Sequence, residues 1–125
     1  MLDRIDHVVL TTNDVDACIS FYTRVLGFEY EIFEETRKAL KSKNFKINVH
    51  SKEEAIALKA KFPTPGSLDL CFITKMQLSV FEMHLKSEGV EILEGPVERT
   101  GSLGKMISYY FNDPDGNLLE VSAYS

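Results

Sequence analysis

Cysteine is scarce in this chain. Only Cys18 and Cys71 occur among 125 residues, each in apolar surroundings, with no CxxC pair and no Cys/His spacing. That excludes a disulfide framework and suits buried thiols in a reducing compartment. Basic residues are outnumbered as well. With 14 Lys and Arg against 19 Asp and Glu, the formal net charge is -5, which argues against a nucleic-acid partner, because phosphate neutralisation takes clustered cations. The one basic concentration, Arg37, Lys38, Lys41, Lys43 and Lys46, is diluted by apolar residues and reads as the polar face of a hairpin. No apolar run is long enough to span a bilayer, and the opening MLDRID has early acids and no apolar stretch of the kind a signal peptide needs. The expectation is a single cytoplasmic domain over residues 1–125 with neither a membrane nor a nucleic-acid partner. A hydrophobic content of 44% and a charged content of 26% are ordinary for a globular protein, and this length builds a core without metal or disulfide staples.

The hydrophobic periodicity switches repeatedly. DRIDHVVLTT (3–12) alternates as a strand, with His7 on the face of Ile5, Val9 and Thr11. In NDVDACISFYTRVLG the apolar residues Val15, Cys18, Ile19, Tyr22, Val25 and Leu26 recur at helical spacing, with Asn13 or Asp14 as the cap and Gly27 as the stop. FEYEIFEE, RKALKS and NFKINVHS then read as three strands. SKEEAIALKAKFPTPGS is a looser connection whose first part predicts a helical turn or two and whose prolines and glycine break regular structure. After it the order starts again: strand LDLCFITK, helix LSVFEMHLKSEG, strands VEILEG, KMISYYFN and NLLEVSAY. The chain therefore predicts an α+β fold of two βαβββ modules, about 3–50 and 68–124 with a linker over 51–67, forming a curved mixed sheet around a cleft. Gly27 and Gly89 are 62 residues apart, and the same offset carries His7 to Asp69.

Four polar residues stand out in these strands: His7, His50, Asp69 and Glu120. Singly, each has an ordinary reading as a hydrogen-bonded or solvated strand residue. They gain interest from falling in the first or last strand of a repeated module, where a shared cleft would bring them together. Imidazole nitrogen and carboxylate oxygen bind divalent metals, and three protein ligands leave positions open for substrate. Asp113 and Asp115, close to Glu120 in sequence, are accounted for by the turn NDPDGN. Pro114 and Asp115 suit its centre, Gly116 supplies a positive φ, and Asp113 accepts backbone N–H groups.

The stretches IDHVVLTTNDVDACISFYTRVLGFE and SYYFNDPDGNLLEVSAY resemble the opening and closing signatures of the vicinal oxygen chelate superfamily. That group includes glyoxalase I, extradiol dioxygenases, fosfomycin-resistance proteins and bleomycin-binding proteins. PGSLDLCFIT and EGPVERTG look most similar to small glyoxalase-domain proteins related to type III biphenyl-2,3-diol 1,2-dioxygenase. The resemblance implies one divalent ion held by His7, Asp69 and Glu120, with Glu120 also serving as a base. Asn48 stands where glyoxalase-type enzymes carry a glutamate, and Asp69 where a histidine is usual. These departures count against a four-ligand glyoxalase site and against a two-histidine, one-carboxylate iron site. An oxygen-rich set favours Fe2+ or Mn2+, with Zn2+ and Ni2+ left open. His50, Asn48, Arg99, Lys105 and Tyr109, or its neighbour Tyr110, are the candidates for contact with substrate. The implied activity is that of a metalloenzyme, a lyase or dioxygenase, acting on a small molecule with adjacent oxygens. The alternative is metal-independent sequestration of a small ligand, as in bleomycin-binding relatives. A homodimer is expected, with modules paired within one chain or between two.

Overall fold

Alternating burial makes His7–Thr12 a strand, β1, with Leu10 and Thr12 turned into the protein. The coordinates, a computed structural model, describe every residue from Met1 to Ser125. Helix α1 (Val15–Arg24) follows at once. Asp14 caps it, its side chain accepting the Ala17 N–H at 3.0 Å, which satisfies one of the otherwise unpaired amides of the first turn. Gly27, at φ +72°, lets the chain turn away after the last turn. Three strands complete the module: β2 (Glu29–Phe33), β3 (Arg37–Lys41) and β4 (Lys46–Ser51). They order as β1-β4-β3-β2, with β1 parallel to β4 and the other pairs antiparallel.

The second module repeats the plan with β5 (Asp69–Ile73), α2 (Leu78–Ser87), β6 (Glu94–Gly101), β7 (Gly104–Asn112) and β8 (Leu118–Tyr124). Its sheet is ordered β5-β8-β7-β6, and again the first and last strands run parallel. The chain divides into two compact units, Met1–Ser67 and Leu68–Ser125. The α+β reading with two βαβββ modules is what the structure has.

Each unit buries one face of its sheet beneath its helix. In the first, Leu10, Leu40, Ile47 and Val49 are buried, as are Cys18, Phe21, Tyr22 and Val25 of α1 and its C-terminal flank. The Tyr22 ring meets Phe21 and Phe28 edge-on at 5.5 and 5.8 Å. In the second, Phe81 and Leu85 of α2 are buried together with Tyr109, Phe111, Leu119 and Val121, and the Phe81 and Phe111 rings lie 6.3 Å apart. Each such apolar side chain contributes about 2 kcal/mol of burial. Period-2 alternation then sends the residues between them to the other face.

Two local expectations are corrected. Residues 90–93 are not a strand; β6 starts at Glu94 and runs through Pro96. Proline is tolerated there because β6 is the edge of its sheet and the β6–β7 register shifts between Glu94 and Val97. The segment SKEEAIALKAK forms no helix; after β4 it passes through turns and bends. Its apolar residues Ala55, Ala57, Leu58 and Ala60 are exposed, so it has no buried stripe to stabilise a short helix. No helix in the chain is long and apolar enough to cross a membrane.

The final hairpin is pinned as the turn chemistry requires. Asp113 is buried, and its Oδ1 accepts the N–H groups of Asp115 and Asn117 at 2.9 and 3.0 Å. Its Oδ2 accepts from Asn117 Nδ2 at 2.7 Å, and Asn117 Oδ1 in turn accepts the Leu68 N–H at 2.8 Å. Gly116 sits at φ +88°. This closed set of bonds fixes Asn112 opposite Leu118, and therefore Tyr110 opposite Glu120.

Candidate functional site

Strand pairing sorts the candidate residues by face. In the second unit Glu120 pairs with Cys71 on one side and with Tyr110 on the other, and Tyr110 pairs with Glu94. The next row is Ile73, Ser122, Ser108 and Val97. All of these occupy the face away from the helix, joined by Asp69 at one end of β5 and Arg99 on β6. Lys105 and Tyr109 alternate to the other face. The Tyr109 hydroxyl donates to Glu82 of α2 at 2.6 Å, and the exposed Lys105 ammonium donates to Thr100 at 3.3 Å and lies 3.6 Å from Glu98. Of the two adjacent tyrosines, Tyr110 shares the face of Glu120.

Glu120 is half-buried and held from below. The Ser108 hydroxyl donates to its Oε2 at 2.6 Å, and Ser122 Oγ lies 2.6 Å from Ser108 Oγ and 3.3 Å from the same carboxylate oxygen. Both serines are fully buried. A hydroxyl has one proton to give. With Ser108 committed to Glu120, Ser122 shares its proton between Ser108 Oγ and the same carboxylate oxygen. The Cys71 sulfur, 3.4 Å from Ser122 Oγ, completes the run. The contacts link Cys71 through Ser122 and Ser108 to Glu120 Oε2. Both serine contacts to the carboxylate end on that oxygen, and Tyr110 and Cys71 also interact with the carboxylate.

Beside Glu120 the chain lays an arginine across a phenol. Arg99 Nε donates to Tyr110 Oη at 3.1 Å, Nη2 to Glu94 at 3.2 Å and Nη1 to the Glu98 carbonyl at 3.0 Å. Its guanidinium carbon is 5.4 Å from the centre of the Tyr110 ring. Burial is the main cause that pushes the Tyr110 hydroxyl above its usual range, with Arg99 pulling it down and Glu120 raising it. The Cys71 thiol is likewise pushed up by burial first, then opposed by Ser122 and reinforced by Glu120. Both groups are therefore neutral proton carriers next to a carboxylate at neutral pH.

The first unit has the matching face. His7, Val9 and Thr11 pair with Lys46, Asn48 and His50, and Asn48 pairs with Ala39. Asn48 takes the place in β4 that Glu120 takes in β8, since Val9 and Cys71 are their respective partners on the parallel strand. His7 likewise corresponds to Asp69, as the sequence offset predicts. The His7 ring is oriented by Asp6, with Nδ1 2.9 Å from Asp6 Oδ2, which leaves Nε2 directed elsewhere. That contact is the main cause holding the Asp6 carboxyl below its usual value. His50 is half-buried beside Thr11. Asn48 is only 3% exposed, and its Oδ1 has no hydrogen-bond partner.

His7 thus belongs to the first unit, and Asp69 and Glu120 to the second. Neither unit by itself gathers three His, Cys, Asp or Glu side chains into a cluster that could hold a metal ion. Ser108 and Ser122, which orient Glu120, carry no warning in the sequence beyond their parity with it. The one available signal is the hairpin register set by NDPDGN, which places Ser108 beside Ser122 two residues beyond the Tyr110–Glu120 pair.

A profile of the Glyoxalase/Bleomycin resistance protein/Dioxygenase superfamily matches residues 4–121. The chain is similar to Virulence protein STM3117 of Salmonella typhimurium, 49% identical over 124 residues that cover 99% of this chain and 86% of that protein. The crystal structure of that protein matches with a TM-score of 0.98 over 100% of this chain and 99% of the other. Metallothiol transferase FosB of Shouchella clausii is 30% identical over 126 residues, covering 97% of this chain and 80% of that one. The structure of Lactoylglutathione lyase from Agrobacterium tumefaciens, at 19% identity, shares the fold with a TM-score of 0.75 over 98% of this chain and 95% of the other.

Proposed function

The chain belongs to the Glyoxalase/Bleomycin resistance protein/Dioxygenase superfamily, and on that premise we propose that it is a metal-dependent lyase or dioxygenase acting on a small substrate with adjacent oxygens. The observation that carries the reading is the mounting of Glu120. A strand glutamate needs no buried hydroxyls beneath it to be stable in water, yet Ser108 and Ser122 fix one of its oxygens and neither serine takes up the other. Such outer-shell bonds orient ligating carboxylates, and a carboxylate on one nitrogen of a histidine does the same for the other nitrogen. The Asp6–His7 contact has that form. The donor chemistry fits a divalent ion: His7 through Nε2, Asp69 and Glu120 through oxygen, a set suited to Fe2+ or Mn2+ and compatible with Zn2+ or Ni2+. A relative named for a metallothiol activity supports the same class.

A divalent ion bound there supplies Lewis-acid polarisation of the substrate's adjacent oxygens. The chain's own residues do the rest. Glu120 holds or accepts a proton at Oε1 while Oε2 stays anchored on Ser108. Tyr110, kept neutral by burial, offers its hydroxyl beside that carboxylate. Arg99 steadies Tyr110 through one of the three bonds that also tie its guanidinium to Glu94 and Glu98, which leaves two of its five N–H donors for an anion. His50 and Asn48 line the corresponding face of the first unit.

The test is metal analysis of purified protein after reloading. About one equivalent of a divalent metal is expected for the wild type, and His7→Ala or Glu120→Ala should each weaken metal affinity by about ten-fold or more. Equal and negligible metal in all three would sink the proposal. A second reading, metal-independent sequestration of a small ligand, is favoured by the lack of a three-ligand cluster within either unit. Ligand binding indifferent to chelator would decide for it.

A further inference from the structure

Asn48 and Lys46 stand two residues apart on β4, about 7 Å along the strand, on the polar face of the first unit. Each carries a side-chain polar group without a hydrogen-bonding partner, Oδ1 in Asn48 and the ammonium in Lys46. Asn48 Oδ1 is the buried side-chain oxygen that no donor in the chain reaches. Burying an amide oxygen unpaired is unfavourable, so a residue kept there at 3% exposure is poised to accept from something outside the chain. Lys46 is half-buried, and its ammonium lies 3.7 Å above the centre of the Phe33 ring. It makes no hydrogen bond and no ion pair. Arg37, 4.8 Å from the same ring, is already committed to Glu34 at 3.1 Å, and Lys41 donates to the Ser42 carbonyl. Lys46 is left with three free donors on this face. Apolar surface adjoins the pair: the exposed Val9 flanks Asn48 across the sheet, and Phe33 underlies Lys46.

From this arrangement we propose that Asn48 and Lys46 form a subsite for a small monocarboxylate that carries a hydroxyl group. The hydroxyl donates to Asn48 Oδ1, the carboxylate pairs with the Lys46 ammonium, and the carbon skeleton rests on Val9 and Phe33. A single ammonium is a point charge without the fork that recognises phosphate bidentately. Glu29 and Glu31 occupy the same face through their pairing with Lys41 and Ala39, and they disfavour a dianion. The subsite deepens the reading that the polar sheet faces receive substrate, and it needs no metal.

The test is run on chelator-treated protein, so that a failure here and a failure of the metal proposal are read separately. Side-chain amide signals of 15N-labelled protein are titrated with 3-hydroxybutyrate and, in parallel, with butyrate. The hydroxy acid is expected to shift the Asn48 amide pair and to bind about five-fold tighter or better, the value of one net hydrogen bond. Lys46→Met should weaken both probes alike. Asn48→Leu should abolish the advantage of the hydroxy acid and raise Tm without ligand, because the unpaired oxygen is gone. Equal affinity for the two probes, no shift of the Asn48 signals with either, or a lower Tm in a folded Asn48→Leu variant would overturn the subsite. Should Asn48→Leu not fold, the two probes on wild type and Lys46→Met decide the matter.

Discussion

Ser108 and Ser122 are the smallest side chains on their face, fully buried, and both engage one oxygen of Glu120. Hydrogen bonds to a charged group are worth about 1.5–3 kcal/mol when buried, and Glu120 is half-exposed, so the lower part of that range applies. Ser108→Ala is expected to cost about 1–2 kcal/mol in urea unfolding. It should also weaken divalent-metal binding by about ten-fold, read by titration of the metal-free protein. Ser122→Ala should do less, because its proton is shared with Ser108 and its own approach to the carboxylate is 3.3 Å. If both variants bind metal as tightly as wild type, Glu120 is not held for that purpose. Glu120 itself was legible from the sequence, because the NDPDGN turn sets the parity of β8. The serines were not, since a small hydroxyl residue between apolar neighbours looks the same whether it faces solvent or a carboxylate. Asn48 was legible as a departure from the family pattern, while its unpaired oxygen depends on burial that sequence does not carry.

Two elements store consequences that stability measurements can read. The β2–β3 turn holds Glu34 and Glu35 at φ +47° and +70°, a conformation that costs a non-glycine residue about 1 kcal/mol or more. Glu35→Gly relieves it at some entropic cost in the unfolded chain and is expected to raise stability by about 0.5 kcal/mol. A loss of stability would show that the Glu35 side chain contributes more than its backbone costs. The second element is the clamp of α2 on β7. Tyr109 is 3% exposed and its hydroxyl is pushed up to about 12, first by burial and then by its bond to Glu82. The folded value lies above the ordinary 10.0, so the stabilisation is fully present below about pH 10 and is lost as pH rises toward 12. Tyr109→Phe should lower stability at neutral pH by about 1 kcal/mol and flatten the alkaline fall in Tm between those limits. An unchanged alkaline slope would assign the fall to other tyrosines. At the acid end, Glu82 is held below its usual value by Tyr109 and then Lys86, so its share is present above that usual value and is lost as pH falls from there through the lower folded value.

For the whole molecule, the repeat is the governing fact. Two βαβββ units with the same strand order and the same parallel pairing of first and last strands make His7 the equivalent of Asp69 and Asn48 the equivalent of Glu120. The proposed metal ligands are divided between them, so the proposal requires modules to pair, within one chain or between two copies. We expect a homodimer, and light scattering should give about twice the chain mass of 14.2 kDa. A mass equal to one chain at micromolar concentration would refute that expectation. Mixing His7→Ala with Glu120→Ala protein then distinguishes the two modes. Recovery of metal binding in the mixture requires ligands from different chains, and no recovery places each set within one.

Periodicity, capping and turn chemistry are local, and the sequence by itself determined what depends on them: the two modules, the order of their elements, a cap at Asn13 or Asp14, the final turn and the parity of Glu120 against Leu119 and Val121. Misreadings arose where a tertiary neighbour overrides local preference. An edge position accommodates Pro96 in β6, and the apolar residues after β4 find no core to turn a short helix toward. Only the tertiary structure decided which side chains meet. Parallel pairing across dozens of residues sets Cys71 beside Glu120 and Val9 beside Asn48, and burial decides whether a polar atom there is satisfied by water, by a serine, or by nothing in the chain. Such contacts depend on long-range pairing and on the exclusion of solvent, and neither is a property of any short stretch of sequence.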